Sequence, residues 1–151
     1  MTTSETRRPV LAGWHPVLLI GLRGAGALLL LGMAWIHYSL WQSDDYGSVN
    51  VIGPLFLVNV VIGVLLAVAV VSVPGPLLSV TSALSSLFTL GTLAALLVSM
   101  VWSLFGFRES TQGPFVKTTI AVEALGVIVL AILAAVSARR SGMWQWLPGA
   151  E

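Results

Sequence analysis

Three side chains of the apolar part of the sequence are of types that are costly to bury in a membrane: His37, Asn59 and Glu123. Each lies in an apolar segment that is long enough to cross a bilayer. An imidazole, an amide and a carboxylate can together bind a cation, exchange a proton or hydrogen-bond a lipid head group. An ionisable residue within the membrane is a candidate functional residue by default.

The positions of these residues predict that two of them lie at a similar depth. Glu123 follows Lys117 by six residues, and His37 precedes Trp41 by four. At 1.5 Å per residue these spacings correspond to roughly 9 Å and 6 Å from the same membrane boundary. A carboxylate and an imidazole at equal depth can pair and lower each other's cost of burial. Asn59 is expected deeper, where it needs a partner such as a hydroxyl group of the third span.

Most of the remaining polar and aromatic residues gather between Met33 and Phe56, where the first apolar segment ends and the second begins. This stretch predicts a polar pocket that opens to the outside, with hinge residues above it. The candidate ligand-binding residues are the three buried ones and the hinge residues: His37, Glu123, Asn59, Trp41, Tyr46, Asp44 and Asp45. Two structural alternatives stay open. Glu123 can form a buried bond to an imidazole or hydroxyl that sets helix register, and the two aspartates can be ordinary turn and helix-start residues.

Composition excludes several classes of protein. Charged residues make up 9% of the chain, hydrophobic residues 57%, and the mean hydropathy is +0.97, whereas a soluble domain carries about 25% charged residues. The bilayer must therefore be the solvent for much of the surface. The net charge of +1 arises from scattered cations, which form no track for a nucleic-acid backbone.

Metal, haem and catalytic chemistry find little support in the sequence. The absence of cysteine excludes disulfides, thiolate metal sites and iron–sulfur clusters. Histidines with metal-ligand spacing are absent, and His15 and His37 are expected at opposite membrane faces, where they cannot hold one haem. No complete catalytic set is visible. We therefore expect no metal, no cofactor and no enzymatic activity.

Four apolar segments predict an all-α protein, a membrane-spanning antiparallel four-helix bundle that forms a single domain over residues 1–151. A hydrocarbon core about 30 Å thick requires about 20 apolar residues per helix. The link Pro74-Gly75-Pro76 is so short that the second and third spans must be antiparallel neighbours. The predicted spans are about residues 16–41, 49–73, 77–107 and 115–138.

Two further features of the spans have structural explanations. Arg23 lies in the first third of its span and is expected to extend its side chain back to the head groups. The third span carries small hydroxyl residues at helical spacing, which favour a packing seam over a permeation path. This stripe comprises Ser79, Ser82, Ser86 and Thr89, with Ser85 and Thr92 nearby.

The distribution of cations predicts the orientation. Five arginines flank the side of the two termini, and Arg108 and Lys117 flank the other side. Because cytoplasmic loops are enriched in Lys and Arg, both termini are predicted to be cytoplasmic. The five are Arg7, Arg8, Arg23, Arg139 and Arg140.

The hinge also resembles a known sequence pattern. His37-x-x-x-Trp41, then Tyr46, then Ile52-Gly53-Pro54-Leu55-Phe56-Leu57-x-Asn59 is similar to a pattern in small four-span integral membrane proteins of actinobacteria. The topology is also similar to that of DoxX-like four-helix proteins. The resemblance covers the first two spans. It implies a protein of the bacterial inner (plasma) membrane and supplies no activity.

These observations lead to three functional hypotheses. The first is an accessory or structural subunit of a membrane assembly, in contact with the lipid bilayer and with a membrane-protein partner or another copy of itself. The second is an oligomeric transporter or an ion- or lipid-binding protein that uses Glu123, His37 and Asn59. The third is a membrane enzyme or redox protein with a site at His37, Asp44 and Asp45.

Overall fold

The computed structural model describes residues 14–43 and 46–140. This part of the chain forms four long α-helices and no β-strand, which confirms the predicted all-α four-helix bundle. Each helix contains a segment that is long and apolar enough to cross a membrane. The helices are α1 (Trp14–Ser43), α2 (Ile52–Ser72), α3 (Gly75–Val101) and α4 (Val116–Arg140), and a short 3-10 helix (Tyr46–Ser48) precedes α2.

The helices pack side by side in the order α2, α1, α4, α3. Glycines allow close approach between neighbours: Gly63 of α2 faces Ala34 of α1, and Gly26 of α1 faces Leu130 of α4. Ser79 and Ser86 of α3 donate hydrogen bonds to carbonyl groups of α4. The residue numbers of these contacts rise on one helix as they fall on the next, so neighbouring helices are antiparallel.

Helices α2 and α3 are consecutive in the sequence, but they contact each other much less than the other neighbouring pairs do. Val73 and Pro74 alone connect them, so the link joins them at the end of the bundle where α1 begins and α4 ends. We call this the terminal end, and the opposite end, with the α1–α2 and α3–α4 connections, the loop end. The predicted adjacency therefore holds at the terminal end, and a cavity separates the two helices toward the loop end.

Helix α3 ends at Val101, six residues before the predicted end at Phe107. The reason is a tight turn in which Leu104 and Phe107 exchange two backbone hydrogen bonds of 2.7 and 2.9 Å. Its central residues, Phe105 and Gly106, have φ angles of +52° and +82°. Positive φ at two consecutive positions is incompatible with a right-handed helix and is typical of a two-residue hairpin turn.

The hydroxyl stripe of α3 lies against α4, as the packing-seam interpretation predicts. Ser79 donates to the carbonyl of Ala134 over 3.2 Å, and Ser86 donates to the carbonyl of Val127 over 3.0 Å. Ser82 between them is fully buried. The hydroxyls of Ser79 and Ser86 therefore join the two helices.

Arg23 of α1 reaches the end of α2 at the terminal end of the bundle. Its guanidinium donates to the carbonyls of Val71 and Val73 over 2.9 and 3.0 Å. The last carbonyls of a helix have no partner within the helix, and a cation there also matches the negative end of the helix dipole. The arginine is thus bound to a helix terminus in addition to lying near the predicted membrane boundary.

The outward surfaces of the helices are apolar. Large aliphatic side chains on all four helices are more than half exposed, among them Leu28, Leu65, Leu84 and Ile128. In water this surface would be costly, whereas lipid tails solvate it. The chain is a small multi-pass membrane protein.

Candidate functional site

A cavity of about 360 Å³ lies between α2 and α3 in the half of the bundle near the loop end. Helices α1 and α4 contribute its inner wall, and residues 104–114 close it at the loop end. Its size falls at the lower end of the range of about 300–1,000 Å³ that is typical of small-molecule sites.

The mouth of the cavity faces the direction in which lipid is expected. Leu55 and Val58 of α2 and Leu87 of α3 line it and are between 44% and 64% exposed. All three lie within candidate membrane spans. A molecule dissolved in the bilayer can therefore approach the cavity sideways, between α2 and α3.

Glu123 is the most unusual residue of the cavity. Its side chain is fully buried, and neither carboxyl oxygen has a hydrogen-bond partner among the described residues. It lies on the inward face of α4 together with Thr119 and Gly126, at three- and four-residue spacing. The position is seven residues after Val116, roughly 10 Å along the helix. The carboxyl group is therefore held in the apolar interior and faces the cavity.

The hydroxyl of Thr92 on α3 lies near this carboxyl and interacts with it. The same hydroxyl lies 2.8 Å from the carbonyl oxygen of Thr89 and 3.6 Å from the sulfur of Met33, and its single hydrogen is directed to these acceptors. Proximity to the carboxyl is not enough for a hydrogen bond, because hydrogen bonds weaken steeply outside a narrow range of distance and angle. Thr92 thus lies near the carboxyl and does not satisfy it.

Asn59 faces the same cavity from α2. It is 6% exposed, and its Oδ1 has no hydrogen-bond partner in the part of the chain that the structure describes. The hydroxyl partner on the third span that the sequence led us to expect is not present at this oxygen. A buried amide oxygen without a partner loses the hydration it has in water without compensation.

His37 contributes from α1 and is also buried. Its Nδ1 lies 2.9 Å from the carbonyl oxygen of Met33, which can only accept, so Nδ1 carries the proton and donates it. In the neutral imidazole Nε2 is then an acceptor. The ring edge packs on Phe56 with a centroid distance of 4.9 Å, which further restrains its orientation.

The structure thus brings His37, Asn59 and Glu123 to one cavity. Among the described residues, Glu123 has no hydrogen bond to His37. Of the alternative interpretation, a buried Glu–His or Glu–hydroxyl bond that sets helix register, only the proximity of the Thr92 hydroxyl to Glu123 is seen.

The other predicted site residues lie nearer the loop end. Tyr46 is buried, stacks on Phe56 with a centroid distance of 5.3 Å, and donates to Oε2 of Glu109 over 2.9 Å. Trp41 stacks on Tyr38 at 6.3 Å and does not line the cavity. The two aspartates, Asp44 and Asp45, lie outside the described residues.

Sequence reasoning missed two groups of cavity residues. Glu109 lines the cavity from the α3–α4 connection, where its polar neighbours suggested an ordinary loop. Phe56, Phe88 and Phe107 also line it. The aromatic residues offer no signal in a sequence in which apolar side chains are everywhere. Glu109 could have been noticed as an acid placed just before the last span.

The other polar side chains of the cavity are engaged within the protein. The hydroxyl of Ser99 donates to the carbonyl of Leu96 on the same helix, and the hydroxyl of Thr119 donates to the carbonyl of Phe115, just before α4. Glu109 accepts from Tyr46 and from the backbone N–H of Ser110. Of the described residues that line the cavity, none is a lysine or an arginine. The cavity therefore presents mainly hydrogen-bond acceptors, with the amide nitrogen of Asn59 as a donor.

Comparison with known proteins identifies no relative: no protein-family model, curated protein or solved structure matches the chain. In the described part of the chain, no three His, Cys, Asp or Glu side chains come together in a way that could hold a metal ion. The chemistry of the site itself must therefore indicate what it binds.

Proposed function

We propose that this small membrane protein binds a lipophilic molecule in the cavity between α2 and α3. The observation that carries this proposal is the fully buried carboxyl group of Glu123, which faces the cavity without a hydrogen-bond partner. An amphiphile would place its polar group at this carboxyl and its apolar part between the two helices. The protein is then a lipid- or ligand-binding membrane protein.

The energetics of burial support this function over a purely structural role for Glu123. A buried polar group without a partner costs about 1–3 kcal/mol, and more when it is charged. A bundle held together only by apolar packing would be more stable with an apolar residue at this position. Oδ1 of Asn59, on the opposite side of the cavity, also lacks a hydrogen-bond partner. A bound polar group can therefore offset the burial cost of both side chains.

The route to the cavity favours a ligand from the bilayer. The mouth between α2 and α3 consists of exposed apolar side chains, while the loop end is closed by the contacts of Tyr46 with Phe107 and Glu109. A water-soluble ion would have to pass the aromatic side chains. A lipophilic molecule reaches the same position by moving sideways.

We also propose that the protein resides in the bacterial inner membrane with both termini in the cytoplasm. The described arginines at the terminal end, Arg23, Arg139 and Arg140, support this orientation under the positive-inside rule. The loop end, and with it the cavity, would then lie in the outer half of the membrane. Reporter fusions test this orientation: a reporter at the C terminus should report the cytoplasm and one inserted after Thr111 should report the outside, and the reverse pair of signals would overturn it.

Two hypotheses stay predictions: that the protein is an accessory subunit of a membrane assembly, and that it forms a homo-oligomer. The serine seam of α3 and the glycines Gly26, Gly63 and Gly126 pack against helices of the same chain. Among the described residues, these seams therefore do not favour a partner protein.

Gly91 provides a direct test of the binding function. It lines the cavity, and a Cβ at this position would meet no heavy atom within 4 Å. We expect Gly91→Phe to occupy the cavity mouth without disturbing the bundle. Gly24→Phe is the matched control, because Gly24 is also exposed and surrounded by open space but does not line the cavity.

The measurement is photo-crosslinking with a diazirine-bearing fatty alcohol in phosphatidylcholine nanodiscs. In the wild-type protein we expect saturable labelling of peptides from α2 and α3 that unlabelled fatty alcohol competes away. Gly91→Phe should remove the saturable fraction, and Gly24→Phe should retain it. Labelling that is not saturable, or that is equal in all three proteins, would overturn the proposal.

A further inference from the structure

Most of the unpartnered polar atoms of the cavity accept hydrogen bonds, and the amide nitrogen of Asn59 is the one donor among these side chains. The free acceptors are the two carboxyl oxygens of Glu123, Oδ1 of Asn59 and, in the neutral ring, Nε2 of His37. The hydroxyls of Thr92, Ser99 and Thr119 use their hydrogens on backbone carbonyls. A ligand that satisfies this site must therefore bring several donors.

The charges around the cavity have one sign. The titratable groups that line it are His37 from α1, Glu109 from the α3–α4 connection and Glu123 from α4, and the described residues of α2 and α3 add none. Glu109 is engaged by Tyr46 and Ser110. An ionised Glu123 would have no counter-charge among the described residues that line the cavity, so a cationic ligand would be the natural source of one.

We propose that the ligand is a cationic amphiphile whose ammonium head binds between Glu123 and Asn59 and whose hydrocarbon chain leaves between α2 and α3. This inference rests on the proposed binding function and specifies its ligand class. An ammonium group has three N–H donors and one positive charge, which matches the unpartnered oxygens. The apolar mouth formed by Leu55, Val58 and Leu87 accommodates the chain.

The aromatic residues of the cavity add to the attraction for a cation. Phe56, Phe88 and Phe107 line the same space as Glu123. The face of an aromatic ring is negative and attracts an ammonium group, most strongly where water is excluded. An anionic amphiphile gains none of these interactions and is repelled by the carboxylates, while a neutral alcohol supplies a donor but no charge.

The test compares three amphiphiles of equal chain length in the crosslinking assay: dodecylamine, dodecanol and dodecanoate. For the wild-type protein at pH 7.5 we expect dodecylamine to displace the photoreactive fatty alcohol at a concentration at least tenfold below that of dodecanol. Dodecanoate should be the weakest competitor. These comparisons use the unaltered protein, so they do not depend on the folding of any variant.

Glu123→Gln tests the residue itself. Glutamine preserves the size and an acceptor oxygen but removes the negative charge. We expect the variant to lose the tenfold preference for dodecylamine over dodecanol. Because both proteins are compared in the same nanodiscs, the partitioning of each amphiphile into the lipid cancels.

The outcomes separate the two proposals. If the photoreactive alcohol labels no saturable site in the wild-type protein, the binding function fails. If it labels the cavity and all three amphiphiles compete equally, the cationic class is wrong. If the preference for the amine survives in Glu123→Gln, the placement of the ammonium head at Glu123 is wrong. Replacement of part of the phosphatidylcholine by phosphatidylethanolamine identifies the source: displacement of the probe indicates a bilayer lipid with an ammonium head, and displacement by dodecylamine alone indicates an amine from outside.

Discussion

The hydroxyl of Tyr46 donates a hydrogen bond to Oε2 of Glu109 over 2.9 Å, and this bond joins the two connections at the loop end of the bundle. Tyr46 follows α1, whereas Glu109 lies between α3 and α4. The tyrosine ring also contacts Phe56 and Phe107, which line the cavity. One side chain thus couples the closure of the cavity to the packing of two distant parts of the chain.

Tyr46→Phe should loosen this closure. The substitution keeps the ring contacts but removes the donor, and a partly buried hydrogen bond to a carboxylate contributes about 1–2 kcal/mol. We expect faster amide hydrogen exchange in residues 104–110 and little change in the centres of the helices. Tyr38→Phe, on the exposed side of α1, is the control and should leave exchange unchanged. Equal exchange in Tyr46→Phe and the wild-type protein would mean that the aromatic contacts alone close the loop end.

Glu123→Met should make the protein more stable and less functional. Methionine fills a similar volume and removes an unpartnered buried carboxyl, so the free energy of unfolding should rise by about 1–3 kcal/mol. The measurement is unfolding in mixed detergent micelles, paired with the crosslinking assay. A loss of stability would show that the carboxyl has a stabilising partner within the protein, which would remove the main argument for a ligand.

Two glycines with opposite surroundings should respond in opposite ways to alanine. A Cβ at Gly53 would lie 2.6 Å from the carbonyl oxygen of Gly47, a backbone atom that cannot rotate away. Gly53→Ala should therefore lower the free energy of unfolding by about 1–3 kcal/mol. Gly91→Ala meets open space and should raise it by about 0.4–1 kcal/mol through the reduced freedom of the unfolded chain. A thermal unfolding series of both variants checks the sign of each.

Arg23→Gln should destabilise the terminal end of α2. The arginine donates to two carbonyls at the end of this helix, those of Val71 and Val73. Glutamine lacks the positive charge and the paired N–H donors of the guanidinium, so the free energy of unfolding should fall by about 1–3 kcal/mol. Arg23→Lys should be intermediate, because lysine keeps the charge but lacks the paired donors. If Arg23→Gln behaves like the exposed control Arg139→Gln, the arginine acts only at the membrane boundary.

Much of the fold follows from the sequence because length and hydropathy alone define membrane helices. Four apolar segments separated by Asp44-Asp45, by Pro74 and by the polar loop after Arg108 leave few alternatives. The end of α3 was wrong by six residues because Phe107 is as apolar as the helix before it. The turn at Phe105 and Gly106 depends on backbone angles that hydropathy does not encode.

The site was predictable in part for a related reason. His37, Asn59 and Glu123 are conspicuous in an apolar chain, and helical rise places two of them at equal depth. Which helices adjoin cannot be derived in this way, since the short link at Pro74 suggested close packing of α2 with α3. The observed order places α1 beside α4 and leaves the space that Glu123 faces.

The order α2, α1, α4, α3 makes the bundle an open arc whose two outermost helices are joined by the link at Pro74 and by few direct contacts. A change in the splay between these helices would widen or narrow the cavity while the three close helix contacts remain intact. The width of the ligand that fits is then set by the angle between α2 and α3, and not by the volume of fixed side chains. We therefore expect tolerance toward the chain of the ligand, and selectivity at the inner wall, where Glu123 is held by the two best-packed helices.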